Sequence, residues 1–257
     1  MKKITLLFYF IGALSISLNA QSPDYGDLTV YFADGNFEKL LRVAEKYTTN
    51  DNTRKDAIPY LYLSKANLEI SKGGYLLEKY PRAFKDAIKY ASKCIKYDTD
   101  GAVFESELEH FRKCKEGVFE QMRNLTEADD FGRLTGVIPL MEKLEKYEVG
   151  TAFLKAVAKY RRGDKSGFRT EESIANLILN EKFDPNSIKM SDYDNVEVAK
   201  KKKLDRQVIL FGIEQYCMLV VEKGEKQKAK NLLKQMEPWF KDDKKYEELV
   251  STYGRGY

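Results

Sequence analysis

The chain has 257 residues, 43% of them hydrophobic and 33% charged, with 44 basic side chains against 40 acidic ones. A chain of this length can bury a substantial core, in one domain or in two small ones. Its near-balanced charge supplies no whole-molecule field for gripping nucleic acid or an anionic membrane, so neither is an expected partner.

Met1-Lys2-Lys3 precedes an apolar run from Ile4 to Leu14, and the chain turns small and polar from Ser15 to Ala20, with Leu18 and Ala20 at the −3 and −1 positions of the expected cut. This is the layout of a secretory signal peptide over residues 1–20, and the apolar run is shorter than the ~20 residues a bilayer span needs. No cysteine follows the cut, so a lipid-modified N-terminus is not indicated. The Asn19-Ala20-Gln21 junction resembles export signals of Gram-negative bacteria, which implies a periplasmic location for the mature chain. Loss of Lys2 and Lys3 brings the net charge to about +2.

Beyond the signal, sustained alternation is absent and the chain reads as consecutive helices. A short pair covers Asp27 to Phe32 and Phe37 to Tyr47, split by Asp34-Gly35-Asn36. Helices follow from Asp56 to Ser71 and from Pro81 to Tyr97, then one from Gly101 to Leu125 and, after the cap and turn Thr126-Glu127-Ala128-Asp129, one to Tyr147. In the second half, Val149 to Arg162 and Thr170 to Leu179 flank the turn Gly163-Asp164-Lys165-Ser166. Residues 184–195 form the longest polar loop and the candidate subdomain boundary of an otherwise single domain, residues 21–257. A long helix from Val196 to Glu222 comes next, then Glu225 to Glu237, stopped by Pro238, and a last short helix from Lys244 to Tyr253. Val208 to Val221 is apolar, but it is too short to cross a membrane and contains Glu214 and Gln215, so it reads as a buried helix.

Three hairpins share a phase: Ala66 and Ala83, Ala158 and Ala175, and Gly212 and Ala229 are pairs of small residues each seventeen apart, and Tyr62, Leu154 and Val208 stand four residues before the first member. Small residues at such sites let helix axes approach, which stacked hairpins require. Gly35-Asn36-Phe37-Glu38-Lys39-Leu40-Leu41 and Gly224-Glu225-Lys226-Gln227-Lys228-Ala229, together with Ala83-Phe84, Ala87-Ile88 and Ala91, resemble the inter-helix glycine and second-helix opening of the tetratricopeptide-repeat family. The resemblance covers about half the chain, and the family's spacing between small residues is about twelve. It implies an all-α, right-handed solenoid of stacked hairpins with a concave binding face.

Catalytic equipment is sparse. His110 is the only histidine, with Glu107 and Cys114 within one helical turn on either side, which is the sharpest enzymatic constellation available. The neighbouring Phe104, Leu108 and Phe111 fit an ordinary packed helix, and no fourth zinc ligand accompanies the three. Asp192-Tyr193-Asp194-Asn195 alternates oxygens, but Glu197 and Lys203 stand where a calcium loop needs glycine and glutamate. No phosphate-binding glycine loop, GxSxG elbow or HExxH motif occurs. Neither a cofactor nor a metal is expected, and the chain is read as a non-enzyme. Cys114 falls about two turns too far along to bridge Cys94, so Cys94, Cys114 and Cys217 are expected as buried thiols.

Lys200-Lys201-Lys202-Lys203 with Arg206 is the densest charge run, and seventeen tyrosines supply contact area at low entropic cost. Tyr62, Tyr90, Lys200, Lys201, Lys202, Lys203 and Arg206 are the candidate partner-binding residues. The expected function is that of a protein-interaction scaffold of the bacterial cell envelope, an accessory subunit of an outer-membrane, secretion or surface-assembly machine whose partners are periplasmic or outer-membrane proteins. The alternative is a protein that binds or acts on glycan or peptidoglycan fragments.

Overall fold

The computed structural model describes residues 23–189 and 195–254; the signal peptide expected over residues 1–20 and the acidic Asp192–Asp194 lie outside them. Among the described residues every regular element is a helix, so the protein is all-α. Helices α1 (Gly26–Ala33) and α2 (Phe37–Thr49) form the first hairpin. Helix α3 (Ala57–Ile70) reaches α5 (Ala83–Tyr97) through the short α4 (Tyr75–Lys79). The short α6 (Ala102–Ser106) leads into α7 (Leu108–Glu127) and α8 (Phe131–Leu144). Next come α9 (Val149–Arg161) and α10 (Lys165–Leu177), the latter running on into a π-turn. The long α11 (Val196–Glu222), α12 (Lys226–Phe240) and the short α13 (Lys244–Leu249) complete the chain.

Packing follows chain order: α2 lies on α3, α3 on α5, α5 and α7 on α8, α8 on α9, and α9 on both α10 and α11. One continuous apolar core runs through all of these, including the helices on either side of residues 184–195. The chain folds this way because most second-of-pair helices carry a single apolar face, as in α5, where Ala83, Ala87, Ile88, Ala91 and Cys94 are buried.

Four hairpins are closed by one and the same three-residue turn. At the ends of α1, α7, α9 and α11, a left-handed residue (Gly35, Asp129, Gly163, Gly224) is followed by a residue whose N–H reaches back to the carbonyl of Tyr31, Leu125, Lys159 or Val220, at 2.8 to 3.0 Å. That backbone bond satisfies a helix-end carbonyl, and the residue donating it also begins the next helix. In three of the four its side chain caps that helix: Asn36 accepts from the Lys39 N–H, Asp130 from Arg133 and Asp164 from Gly167. The α3–α5 hairpin departs, with α4 inserted.

Several boundaries differ from the sequence reading. Helix α10 begins five residues before Thr170 because Asp164 caps it. The helix expected from Gly101 to Leu125 breaks at Glu107. Pro238 does not stop α12, whose last turn is held by the fully buried Phe240 beneath the Arg206 guanidinium, 4.6 Å from the ring centre. All six phased small residues are buried. At Gly212 the helices meet most closely: an added Cβ would lie 1.9 Å from the carbonyl oxygen of Gly150, so α9 and α11 cross backbone to backbone.

Candidate functional site

Helix α11 is wedged between α7, α9 and α12 and buries most of its circumference, including Val208, Ile209, Ile213 and Leu219. Its one open flank, with α7 and the end of α12, walls a groove of about 1030 Å³. The apolar floor consists of Phe119 from α7, Leu210 and Phe211 from α11, and Pro238 and Trp239 from α12. Phe119 and Phe211 meet edge to face at 5.6 Å between ring centres, and Trp239 is fixed edge to face against Phe183 at 5.2 Å. Half-buried aromatic rings held by neighbours are suited to contact because little rotamer entropy is left to lose.

The rim is charged, and much of it is internally neutralised. Arg206 donates to the Asp243 carboxylate from Nε at 3.3 Å and from Nη2 at 3.1 Å, and its Nη1 donates to the Trp239 carbonyl at 3.1 Å. Lys245 pairs with Glu214 at 2.7 Å across the same opening. Arg206 is therefore a fixed wall that positions Trp239, while the exposed Lys203 stands beside it on the rim.

The lysine run fans around its helix. Lys200 is exposed and pairs with Glu197 at 2.7 Å. Lys201 turns inward to Asp205 at 2.8 Å, and Lys202 is buried with its ammonium 3.4 Å from the Lys189 carbonyl. Of the run, Lys203 alone reaches the groove, joined by Arg206. Lys201 belongs instead to a buried ion cluster, in which Asp205 also pairs with Lys115 at 2.6 Å, and Lys115 in turn with Glu145. Tyr62 and Tyr90 lie elsewhere, on α3 and α5. The Tyr62 hydroxyl is 2.7 Å from Thr29 Oγ1, and the Tyr90 ring stacks on Tyr60 at 6.4 Å. The floor residues Phe119, Phe211 and Trp239 were not singled out by sequence reasoning. The signal available for them was an aromatic residue directly after Pro238, which reads as a helix stop.

His110, Glu107 and Cys114 do not converge on an open site. His110 is buried between α3 and α7, with Nε2 2.8 Å from Ser64 Oγ and 3.7 Å from Cys114 Sγ. Ser64 Oγ donates to the Ala87 carbonyl at 2.8 Å, so it accepts from the imidazole, while Glu107 turns away to Lys65 at 2.6 Å. Burial, with Lys65 and Lys113 adding to it, holds His110 down to about 3, and burial pushes the Cys114 thiol up to about 12. A neutral imidazole beside a protonated thiol is a packing arrangement, not an activated nucleophile. Cys94 and Cys217 are likewise free and buried.

A pH signature follows from the depressed imidazole. Below an ordinary histidine value of about 6.5 the unfolded chain takes up a proton that the folded chain refuses. Stability is therefore lost as pH falls from there toward about 3, by up to ~1.4 kcal/mol per pH unit. Because the chain has one histidine, its single imidazole NMR resonance should stay unshifted from pH 7 to 5. A titration midpoint near 6.5 in the folded protein would show the ring to be solvated. The described residues contain no group of His, Cys, Asp and Glu suited to holding a metal ion. No described helix is long and apolar enough to cross a membrane.

No family model matches this chain, and neither the curated proteins nor the solved structures contain a significant match to it.

Proposed function

We propose that the protein is an exported, non-enzymatic binding scaffold, built as a tetratricopeptide-like stack of helical hairpins, that docks a segment of another envelope protein in the groove between α7, α11 and α12. On this reading it resides in the periplasm as an accessory subunit of an outer-membrane, secretion or surface-assembly machine. The observation that carries the reading is the groove itself: an apolar aromatic floor inside a charged, largely self-neutralised rim is the composition of a contact surface with a buried centre and a polar edge. The recurrence of one turn in four hairpins supports the repeat architecture. The groove's size also suits a short glycan, and rings flanked by carboxylates give that alternative its basis.

The chain's only tryptophan lies in this groove, so its emission reads occupancy directly. A photo-crosslinking residue at exposed Gln207, on the groove rim, is expected to capture one envelope protein in living cells, whereas the same residue at Lys165, on α10, captures none. A synthetic peptide covering the captured segment should then shift Trp239 emission on titration, and Phe211→Ala should weaken its binding by roughly tenfold or more, the loss typical of a central anchor. A shift produced by peptidoglycan fragments and not by the peptide would transfer the assignment to glycan binding. Capture at neither position would remove the docking role.

A further inference from the structure

A second surface lies on α5, on a different part of the fold from the groove. Lys85, Lys89, Lys93 and Lys96 follow at intervals of four, four and three, so they lie along one side of the helix over about 16 Å. The opposite side is the buried one, formed by Ala83, Ala87, Ala91 and Cys94. Elsewhere the described lysines and arginines close many ion pairs, but among the described residues none of these four has a carboxylate or hydrogen-bond partner. Asp86 on α5 and Glu45 on α2 lie close enough to act on the Tyr90 ring, yet neither pairs with a lysine of the row. Three of the ammoniums rest over tyrosine rings instead: Lys89 at 4.9 Å from the centre of Tyr90, Lys93 at 5.2 Å from Tyr60, and Lys96 at 5.4 Å from Tyr97. The rings hold the charges in a row without neutralising them.

The geometry points to this row as a docking face for an acidic protein segment, an α-helix carrying Glu or Asp at every third or fourth position. Charge complementarity selects an anionic partner, and the details select among anions. The row is one helix wide, and its period is that of carboxylates on a partner helix. No large apolar side chain is exposed on α5, so nothing there would insert into a bilayer. Lysines already cover the tyrosine rings, and no arginine belongs to the row, which leaves no platform for nucleic-acid bases. Half-buried Tyr90 and Tyr97 flank the charges and extend the contact area.

The test is fluorescence anisotropy with a fluorescein-labelled, alanine-based helical peptide bearing glutamate at every fourth position, at low ionic strength. Wild type should bind it, with affinity falling steeply as salt is added. The triple variant Lys85→Gln, Lys89→Gln, Lys96→Gln should bind about tenfold more weakly, the loss expected of three exposed charge pairs. Lys226→Gln, Lys230→Gln, Lys234→Gln on α12 removes the same charge from a helix whose lysines rest over no ring among the described residues, and should leave binding within about twofold of wild type. The reversed variant Lys85→Glu, Lys89→Glu, Lys96→Glu should instead bind the matching lysine-bearing peptide, which an unfolded chain would not do selectively. Equal losses in the α5 and α12 variants, or no binding by wild type, would overturn the proposal. So would sedimentation with phosphatidylglycerol vesicles that is stronger than peptide binding and lost in the α5 variant, which would make the row a lipid-headgroup surface.

Discussion

Gly212→Ala should destabilise the protein by about 3 kcal/mol or more, at or beyond the upper end of what overpacking a core usually costs. The added methyl would lie 1.9 Å from the carbonyl oxygen of Gly150, 2.4 Å from its carbonyl carbon and 2.5 Å from its Cα. All three are backbone atoms of α9, so no side chain can rotate away. Relief requires α9 and α11 to separate, and that would pull the fully buried Phe153 of α9 away from Tyr216 of α11, whose ring centre lies 4.7 Å from its own. Gly150→Ala meets the reciprocal obstacle, 2.2 Å from the Val208 oxygen. Gly136→Ala is the internal control: it sits inside α8 with nothing within 4 Å of an added Cβ. It should stabilise by roughly 0.5–1 kcal/mol through helix propensity. Urea unfolding followed by far-UV circular dichroism and by Trp239 emission measures all three, and equal midpoints for the Gly136 and Gly212 variants would contradict the close crossing.

That crossing marks how far the sequence was legible. Gly212 stood out because it shares a seventeen-residue phase with Ala229 and with two alanine pairs, whereas Gly150 is the second residue of α9, where glycine reads as a helix start. The hairpin turns were readable at Gly35, Gly163 and Gly224, since a left-handed position favours glycine. At Asp129, which adopts the same backbone at φ 52° without a glycine, the turn was legible only from the cap-like run Thr126-Glu127-Ala128-Asp129. In the charge run, extending the apolar stripe of Leu204, Val208 and Gly212 backward by one turn points at Lys201, so its inward turn was recoverable from helical period alone. The buried state of Lys115 was not recoverable. Its partners Glu145 and Asp205 lie 30 and 90 residues away, and on α7 it looks like any solvated lysine. The groove was hidden for the same reason: its floor is assembled from α7, α11 and α12, and none of the three shows it alone.

Asp205→Ala should cost about 3–5 kcal/mol, the range for removing one partner of a buried pair. Lys115 and Asp205 are 5% and 6% exposed and 2.6 Å apart, so truncating the carboxylate leaves an ammonium out of water with Glu145 as its remaining close partner. The cluster clamps three elements, with Lys115 on α7, Glu145 at the end of α8, and Lys201 and Asp205 in the first turns of α11, and Arg112 adds a 3.2 Å bond to Glu197. Burial alone would raise the Asp205 carboxyl, but Lys115 and Lys201 outweigh it and hold the group below its ordinary range. A depressed carboxylate contributes stability that is complete above the unfolded value of about 4 and is lost as pH falls from there through the folded value. Lys115 runs the other way. Burial alone would lower it, yet Glu145 and Asp205 raise it, so its contribution is complete below an unfolded value of about 10.4 and is lost as pH climbs through the folded one. The wild-type midpoint should therefore fall at both extremes, acid loss beginning with His110 below about 6.5 and steepening below about 4. Asp205→Ala should flatten the steep acid limb while leaving the histidine portion in place. Lys115→Met with Asp205→Leu removes both charges, and because Glu145 and Lys201 are exposed enough to be rehydrated, the double variant should lose less stability than Asp205→Ala alone. A double-mutant cycle in urea gives the coupling directly, and an Asp205→Ala loss below about 1 kcal/mol would mean that water reaches the pair and that it does little to hold α11 to α7.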